Sequence, residues 1–174
     1  MSNLTIRNDC RVRKEWIDMV SLPDALKTCA MEADVLIVPS MMPTQPKAFV
    51  VGTSHLFAFL QSQFGEGVEI CIRNEGYEEL ELNSRTVRLG RFIVKSIVLS
   101  LFLSILGNYI YDRIREPYTI KGGDDLPEYQ KPADVSFTIA VEDSTGKKKE
   151  FQYEGPASDY KAIAEEIERL WNEK

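Results

Sequence analysis

The feature that most constrains this chain is a run of 23 residues, FIVKSIVLSLFLSILGNYIYDRI, from Phe92 to Ile114. It contains one full charge, Lys95, before Asp112. A run of this length and apolar character predicts one long helix that is apolar on nearly every face. Such a helix must be buried by something, so the rest of the chain is interpreted around it.

Small and polar residues recur along one side of this predicted helix. Their spacing of three or four positions places them on a single face. We take them as a candidate interface stripe, because small residues let another element approach closely. The stripe consists of Ser96, Ser100, Ser104, Gly107 and Asn108.

Three environments could bury this helix, and the sequence leaves all three open. In the first, it is the central helix of the fold and its small-residue stripe lies against a sheet. In the second, a protein partner or a second copy of the chain covers part of it. In the third, residues 93–111 span a bilayer, with Lys95 reaching one interface and two tyrosines marking the other. Basic residues flank both ends, so no topology follows.

The segments before this run predict alternating strands and helices. We expect a first strand over Lys14–Ser21, a helix over Leu22–Ala33 with Ser21 as its cap, and a strand buried on both faces over Asp34–Pro39. A second helix is predicted over Thr53–Gln63. Alternating apolar residues then predict half-buried antiparallel strands. These lie at Val68–Ile72 and on both sides of an Asn83–Ser84 turn.

The C-terminal part predicts a separate small unit. Residues 116–133 contain three prolines and a Gly-Gly pair, which is typical of an extended linker. Apolar alternation predicts a β-hairpin within 135–153, and apolar residues at helical spacing predict an amphipathic helix over 160–171. A unit of this size, 134–174, buries little surface alone, so it should pack on the main body, residues 1–115, or on a partner.

Charge and cysteine content exclude several classes of function. Residues 1–115 hold 13 basic and 13 acidic side chains, whereas residues 116–174 hold 8 and 14. This acidic balance argues against direct nucleic-acid binding, which needs clustered Lys and Arg. The lysine run Lys147–Lys149 falls at the hairpin tip, where lysines commonly protect a sheet edge.

The three cysteines, Cys10, Cys29 and Cys71, are odd in number and form no CxxC pair. Neither a disulfide framework nor a metal site is expected from them. The N-terminus has no apolar run after its charges, so we expect a cytoplasmic protein. The inner membrane is the alternative if residues 93–111 span a bilayer.

Candidate chemistry is limited to the single histidine, His55, at the start of the helix predicted from Thr53. There Thr53, Ser54 and His55 could form a small anion pocket, because helix N-termini expose backbone N–H groups. The simpler interpretation is that Thr53 or Ser54 caps the helix. An enzyme would have to use His55, with Ser54 or Cys71, and no GxSxG turn accompanies it. We therefore predict no catalytic residues, metal or cofactor.

Part of the chain resembles known proteins. The stretch Asn108–Ile114, NYIYDRI, followed later by Tyr153-Glu154-Gly155-Pro156, resembles a group of small uncharacterised bacterial proteins over roughly Arg91 to Trp171. The resemblance implies a bacterial or phage origin and an accessory role in a multi-gene cassette such as an antiviral defence system. It carries no catalytic residues.

Together these observations predict an α+β fold: a mixed sheet, a long apolar central helix, and a C-terminal hairpin plus amphipathic helix. The expected function is a non-catalytic adaptor subunit of a bacterial assembly that associates through the apolar helix. The alternative is a single-pass membrane protein with small sensor or effector units on either side of residues 93–111.

Overall fold

The computed structural model describes residues 3–40, 45, 47–72, 76–80, 86–119 and 134–173. This part of the chain forms five α-helices and a six-stranded mixed sheet, which confirms the α+β class. The helices are α1 (Arg13–Val20), α2 (Asp24–Glu32), α3 (Thr53–Phe64), α4 (Leu99–Thr119) and α5 (Tyr160–Asn172). The strands are β1 (Leu4–Arg7), β2 (Val35–Val38), β3 (Phe49–Val50), β4 (Val68–Ile70), β5 (Glu79–Leu80), β6 (Val87–Lys95), β7 (Asp134–Glu142) and β8 (Lys148–Pro156).

The main sheet has the order β1-β8-β7-β6-β2-β4. Two of its pairings are parallel, β2 with β4 and β6 with β7, and the others are antiparallel. Parallel neighbours need a crossover connection, and α3 and α4 lie in the two crossovers. The short strands β3 and β5 form a separate parallel pair.

Helices cover both faces of this sheet, which explains why the central strand β2 is wholly apolar. On one face α3, α4 and α5 pack in a large core around Phe92, Phe102 and Phe137. On the other face α1 and α2 pack against β2 and β6 through a smaller core that contains Trp16 and Ile93. Alternate residues of β2 and β6 therefore belong to different cores.

The long apolar run is two elements, so the prediction of one helix over Phe92–Ile114 was wrong. Phe92–Lys95 belong to the central strand β6, a 3₁₀ turn covers Ser96–Val98, and α4 begins at Leu99. A strand buried on both faces and a helix buried on most faces give the same uninterrupted apolar pattern. The predicted linker from residue 116 also begins too early, because α4 continues to Thr119. Residues 120–133 lie outside the described residues.

The N-terminal prediction also needs correction, because Lys14–Ser21 forms helix α1 rather than a strand. Trp16, Ile17 and Val20 are buried at helical spacing. Ser21 adopts a left-handed conformation with φ of 57° and ends α1, so it does not cap the next helix. Accordingly, α2 begins only after Pro23.

The strand pairings differ from the antiparallel arrangement predicted for the middle of the chain. β4 lies parallel to β2, and β5 lies parallel to β3. The predicted Asn83–Ser84 turn lies outside the described residues. The C-terminal hairpin β7–β8 forms as predicted, and β7 pairs with β6 from Val87 to Lys95. Residues 134–173 thus share one sheet and one core with the segments before them.

A buried arginine holds α1, α2 and the sheet together. Arg13 is 3% exposed, and its Nε donates to the Glu142 carboxylate at 2.7 Å. One of its Nη atoms donates to the carbonyl oxygens of Ala30 and Ala33, each at 2.7 Å. A cation at a helix C-terminus satisfies carbonyls that have no partner within the helix. Arg13 therefore ties the end of α2 to β7.

Candidate functional site

The solvent-facing side of α4 and of the turn before it is the first candidate site. Ile97 is 84% exposed, Leu101 53% and Tyr111 61%. They share this side with Ser100, Ser104 and Asn108, which are also exposed. Three of the five residues of the predicted stripe therefore face solvent and do not lie against the sheet. We call Ile97, Ser100, Leu101, Ser104, Asn108 and Tyr111 the α4 outer face.

The other two residues of the predicted stripe have different positions. Ser96 is half-buried in the turn before α4. Gly107 lies where α5 approaches α4, and a Cβ added there would be 2.9 Å from the ring of Tyr160. The Tyr160 hydroxyl donates to the carbonyl of Leu103 at 2.6 Å, which fixes that ring. Gly107 thus serves packing within the fold.

A groove adjoins the α4 outer face on the side of α5. Its volume is about 430 Å³. Tyr111 belongs to both surfaces, so the exposed apolar side chains and the groove are continuous. The groove is lined mainly by Gly107, Ile110, Tyr111, Pro156, Ala157 and Tyr160.

Spacing could have identified the apolar members of this surface. Residues 97, 101, 104, 108 and 111 follow the i, i+4, i+7 rule of a single helix face. The sequence prediction instead selected the small residues alone.

Among the described residues, no helix has both the length and the hydropathy needed to cross a bilayer.

The predicted anion pocket at the start of α3 already contains a carboxylate of the protein. Glu79 of β5 accepts hydrogen bonds from the backbone N–H of Gly52 at 3.1 Å and of Ser54 at 2.9 Å. It also accepts one from the Tyr77 hydroxyl. Burial alone would raise the pKa of Glu79, but these hydrogen bonds lower it to about 2. The N–H groups therefore bind an anionic side chain of the same chain.

Thr53 and His55 both have partners in the fold. The Thr53 hydroxyl donates to the carbonyl of Val50 at 2.6 Å, so it closes the turn before α3. The His55 ring forms a hydrogen bond through Nδ1 with the Tyr109 hydroxyl at 3.1 Å. Thr53, Ser54 and His55 thus connect α3 to β5 and α4.

A cavity of about 180 Å³ lies beside the same helix start. Gly52 lines it at the N-terminus of α3, and Tyr109 and Arg113 line it from α4. Arg88 of β6 lines both this space and a second cavity of about 130 Å³, and the β6–β7 register is irregular between Arg88 and Gly90. We call this space the Arg88 cavity. Its apolar lining consists of Val50, Val51, Leu56, Leu80, Val87 and Leu89.

The lysines at the hairpin tip lie just beyond the part of β8 that β1 covers, because β1 pairs with Glu150–Tyr153. Lys147 and Lys149 donate to the carbonyls of Trp171 and Leu170 at the end of α5. Lys148 donates to the carbonyl of Cys10. Cations at a helix C-terminus are stabilising, so two of these lysines hold α5 against the hairpin.

The three cysteines are free thiols. Cys10 and Cys71 are buried, and Cys29 is exposed. Burial raises the pKa of Cys71 to about 12, so its thiol is inert at neutral pH. Within the described ranges, no group of His, Cys, Asp and Glu side chains could hold a metal ion.

No family model matches this chain, and no curated protein or solved structure matches it significantly.

Proposed function

We propose that this protein is a non-catalytic interaction subunit that docks another chain on the α4 outer face. The observation that carries the proposal is the exposure of Ile97, Leu101 and Tyr111 on a helix whose other sides are buried. An apolar patch on a soluble surface commonly marks a protein contact. Aromatic residues such as Tyr111 are enriched in such contacts.

The simplest occupant is a second copy of this chain. The α4 outer face carries no charged side chain between Lys95 and Asp112, so two copies would meet without like-charge repulsion. Antiparallel packing about a twofold axis would place the Asp112 end of one helix beside the Lys95 end of the other. Such an isologous contact is self-complementary, as most dimer interfaces are.

The wider setting belongs to the same proposal and rests on the sequence resemblance. It is an accessory role in a cytoplasmic bacterial assembly such as an antiviral defence cassette. The dimer would be the unit that joins that assembly.

Light scattering after size-exclusion chromatography tests the docking step. The wild type should show the mass of a dimer as its concentration rises. Leu101→Glu introduces a charge within the face and should give a monomer with unchanged circular dichroism. Met31→Glu is the matched control, because Met31 of α2 is similarly exposed, at 47%, outside this face. A wild type that stays monomeric, or a dimer that survives Leu101→Glu, would contradict the proposal.

A further inference from the structure

We propose that the Arg88 cavity binds a small carboxylate with an apolar body. This site is separate from the α4 outer face and does not depend on the docking proposal. Three observations on the described residues lead to it: two guanidinium groups without acidic partners, a buried donor without an acceptor, and apolar walls of suitable size.

The charge that the described residues bring to the cavity is positive. Arg88 and Arg113 both line it, and within the described part of the chain neither forms an ion pair. Glu79, the carboxylate at the adjoining start of α3, is held by Tyr77 and two backbone N–H groups. An arginine fork matches the two oxygens of a carboxylate, so the unpaired charge favours a carboxylate ligand.

Arg88 also has an unsatisfied donor. Its Nε atom is buried and has no hydrogen-bond partner among the residues that the structure describes. Buried polar atoms without partners are rare in folded proteins and call for a specific explanation. A ligand oxygen that reaches the Arg88 guanidinium would supply the missing acceptor.

Arg113 of α4 also lines the cavity. Its Nη2 atom lies 3.6 Å from the position that a Cβ would take on Gly52. Its guanidinium also lies 5.9 Å from the centre of the Tyr109 ring. The exposed side chain of Arg113 is thus held at the edge of the cavity, where it could close over a bound anion.

The size and the walls of the cavity define the rest of the ligand. A cavity of about 150 Å³ with apolar walls can hold benzene, and this one measures about 180 Å³. Leu56, Leu89 and Val50 are buried, which gives the cavity an apolar floor. A monocarboxylate about the size of benzoate fits this space. Inorganic phosphate has no apolar part and would make no apolar contact with the floor of the cavity.

Titration calorimetry with benzoate at constant ionic strength tests this assignment. The wild type should bind benzoate saturably, and benzyl alcohol or inorganic phosphate should bind at least tenfold more weakly. Arg88→Gln and Arg113→Gln should each weaken benzoate binding at least tenfold. Arg169→Gln is the matched control, because Arg169 is an exposed arginine of α5 paired with Glu166.

Absence of saturable benzoate binding to the wild type would overturn the proposal. So would unchanged affinity in both cavity variants. Equal affinity for phosphate and benzoate would overturn the apolar body of the ligand. Arg113 is exposed, so Arg113→Gln should fold and decides the question if Arg88→Gln does not.

Discussion

Replacing Arg13 by methionine should destabilise the fold strongly, because this side chain joins three elements. The change removes one hydrogen bond to Glu142 and two to the last carbonyls of α2. Methionine keeps most of the volume and apolar stem of arginine. The effect therefore isolates the loss of the guanidinium.

The expected magnitude follows from opposing contributions. Breaking a buried ion pair costs about 3–5 kcal/mol. The cost here is smaller, because the Glu142 side chain is 27% exposed and regains water. The second Nη atom of Arg13 is buried without a partner among the described residues, so its removal offsets part of the loss. The carbonyls of Ala30 and Ala33 also lose their donor, which adds to the cost. We therefore expect a net decrease of about 3 kcal/mol in the free energy of unfolding.

Thermal and urea unfolding measure this difference. For a chain of this length about 3 kcal/mol corresponds to a Tm lower by about 6–12 °C. The control is Lys14→Met, because Lys14 is the exposed neighbour on α1 and should change stability by less than about 0.5 kcal/mol. If Arg13→Met unfolds within about 0.5 kcal/mol of the wild type, the structural role assigned to Arg13 is refuted.

Three further predictions concern single side chains. In the native protein, iodoacetamide should modify exposed Cys29 and leave Cys71 unmodified. The reason is that burial excludes the reagent from Cys71 and raises the pKa of its thiol to about 12. Modification of native Cys71 would contradict this prediction. Glu79 has a pKa lowered from 4.5 to about 2, so its contribution to stability is complete above pH 4.5 and is lost as the pH falls to about 2. The difference in urea stability between wild type and Glu79→Gln should shrink over that range, and a constant difference would exclude this role. Gly107→Ala should lower the Tm, because the added Cβ would lie 2.9 Å from the Tyr160 ring. This clash should outweigh the higher helix propensity of alanine, which is about 1 kcal/mol. A raised Tm would show that the ring can move.

The sequence predicted those elements whose patterns are local. The strand β2, the helix α3, the β7–β8 hairpin and the helix α5 all formed close to their expected positions. Turn residues bound each of these elements, such as Pro39 after β2 and Gly65 after α3. The amphipathic helix α5 shows a local pattern most clearly, because Ile163 and Ile167 are buried at a spacing of four.

Prediction failed where the same pattern fits two structures. Phe92–Lys95 and Leu99–Ile105 are equally apolar, and only the Ser96 turn between them separates strand from helix. Lys14–Ser21 is too short for its period to be distinguished reliably. Neither error could be resolved without knowing which sheet face each side chain covers.

The candidate sites depended on contacts between distant residues. The sequence correctly placed the start of α3 at Thr53. It gave no indication that Glu79, 25 residues after Ser54, accepts hydrogen bonds from the N–H groups at this helix start. Arg88 and Arg113 likewise lie on different elements, and the fold brings them to one cavity. Local patterns identify helix ends but not the side chains that meet there.

Cross-linking at the centre of the α4 outer face tests the docking proposal most directly. Ser104 lies midway between residues 97 and 111, so a twofold contact would place the two Ser104 positions opposite each other. In a Cys29→Ser background, Ser104→Cys should give a covalent dimer with a short bismaleimide, and Lys14→Cys on exposed α1 should not. Efficient dimer formation by the Ser104 variant alone is the predicted result; equal yields from both variants, or none from the Ser104 variant, would contradict docking of a second copy through this face.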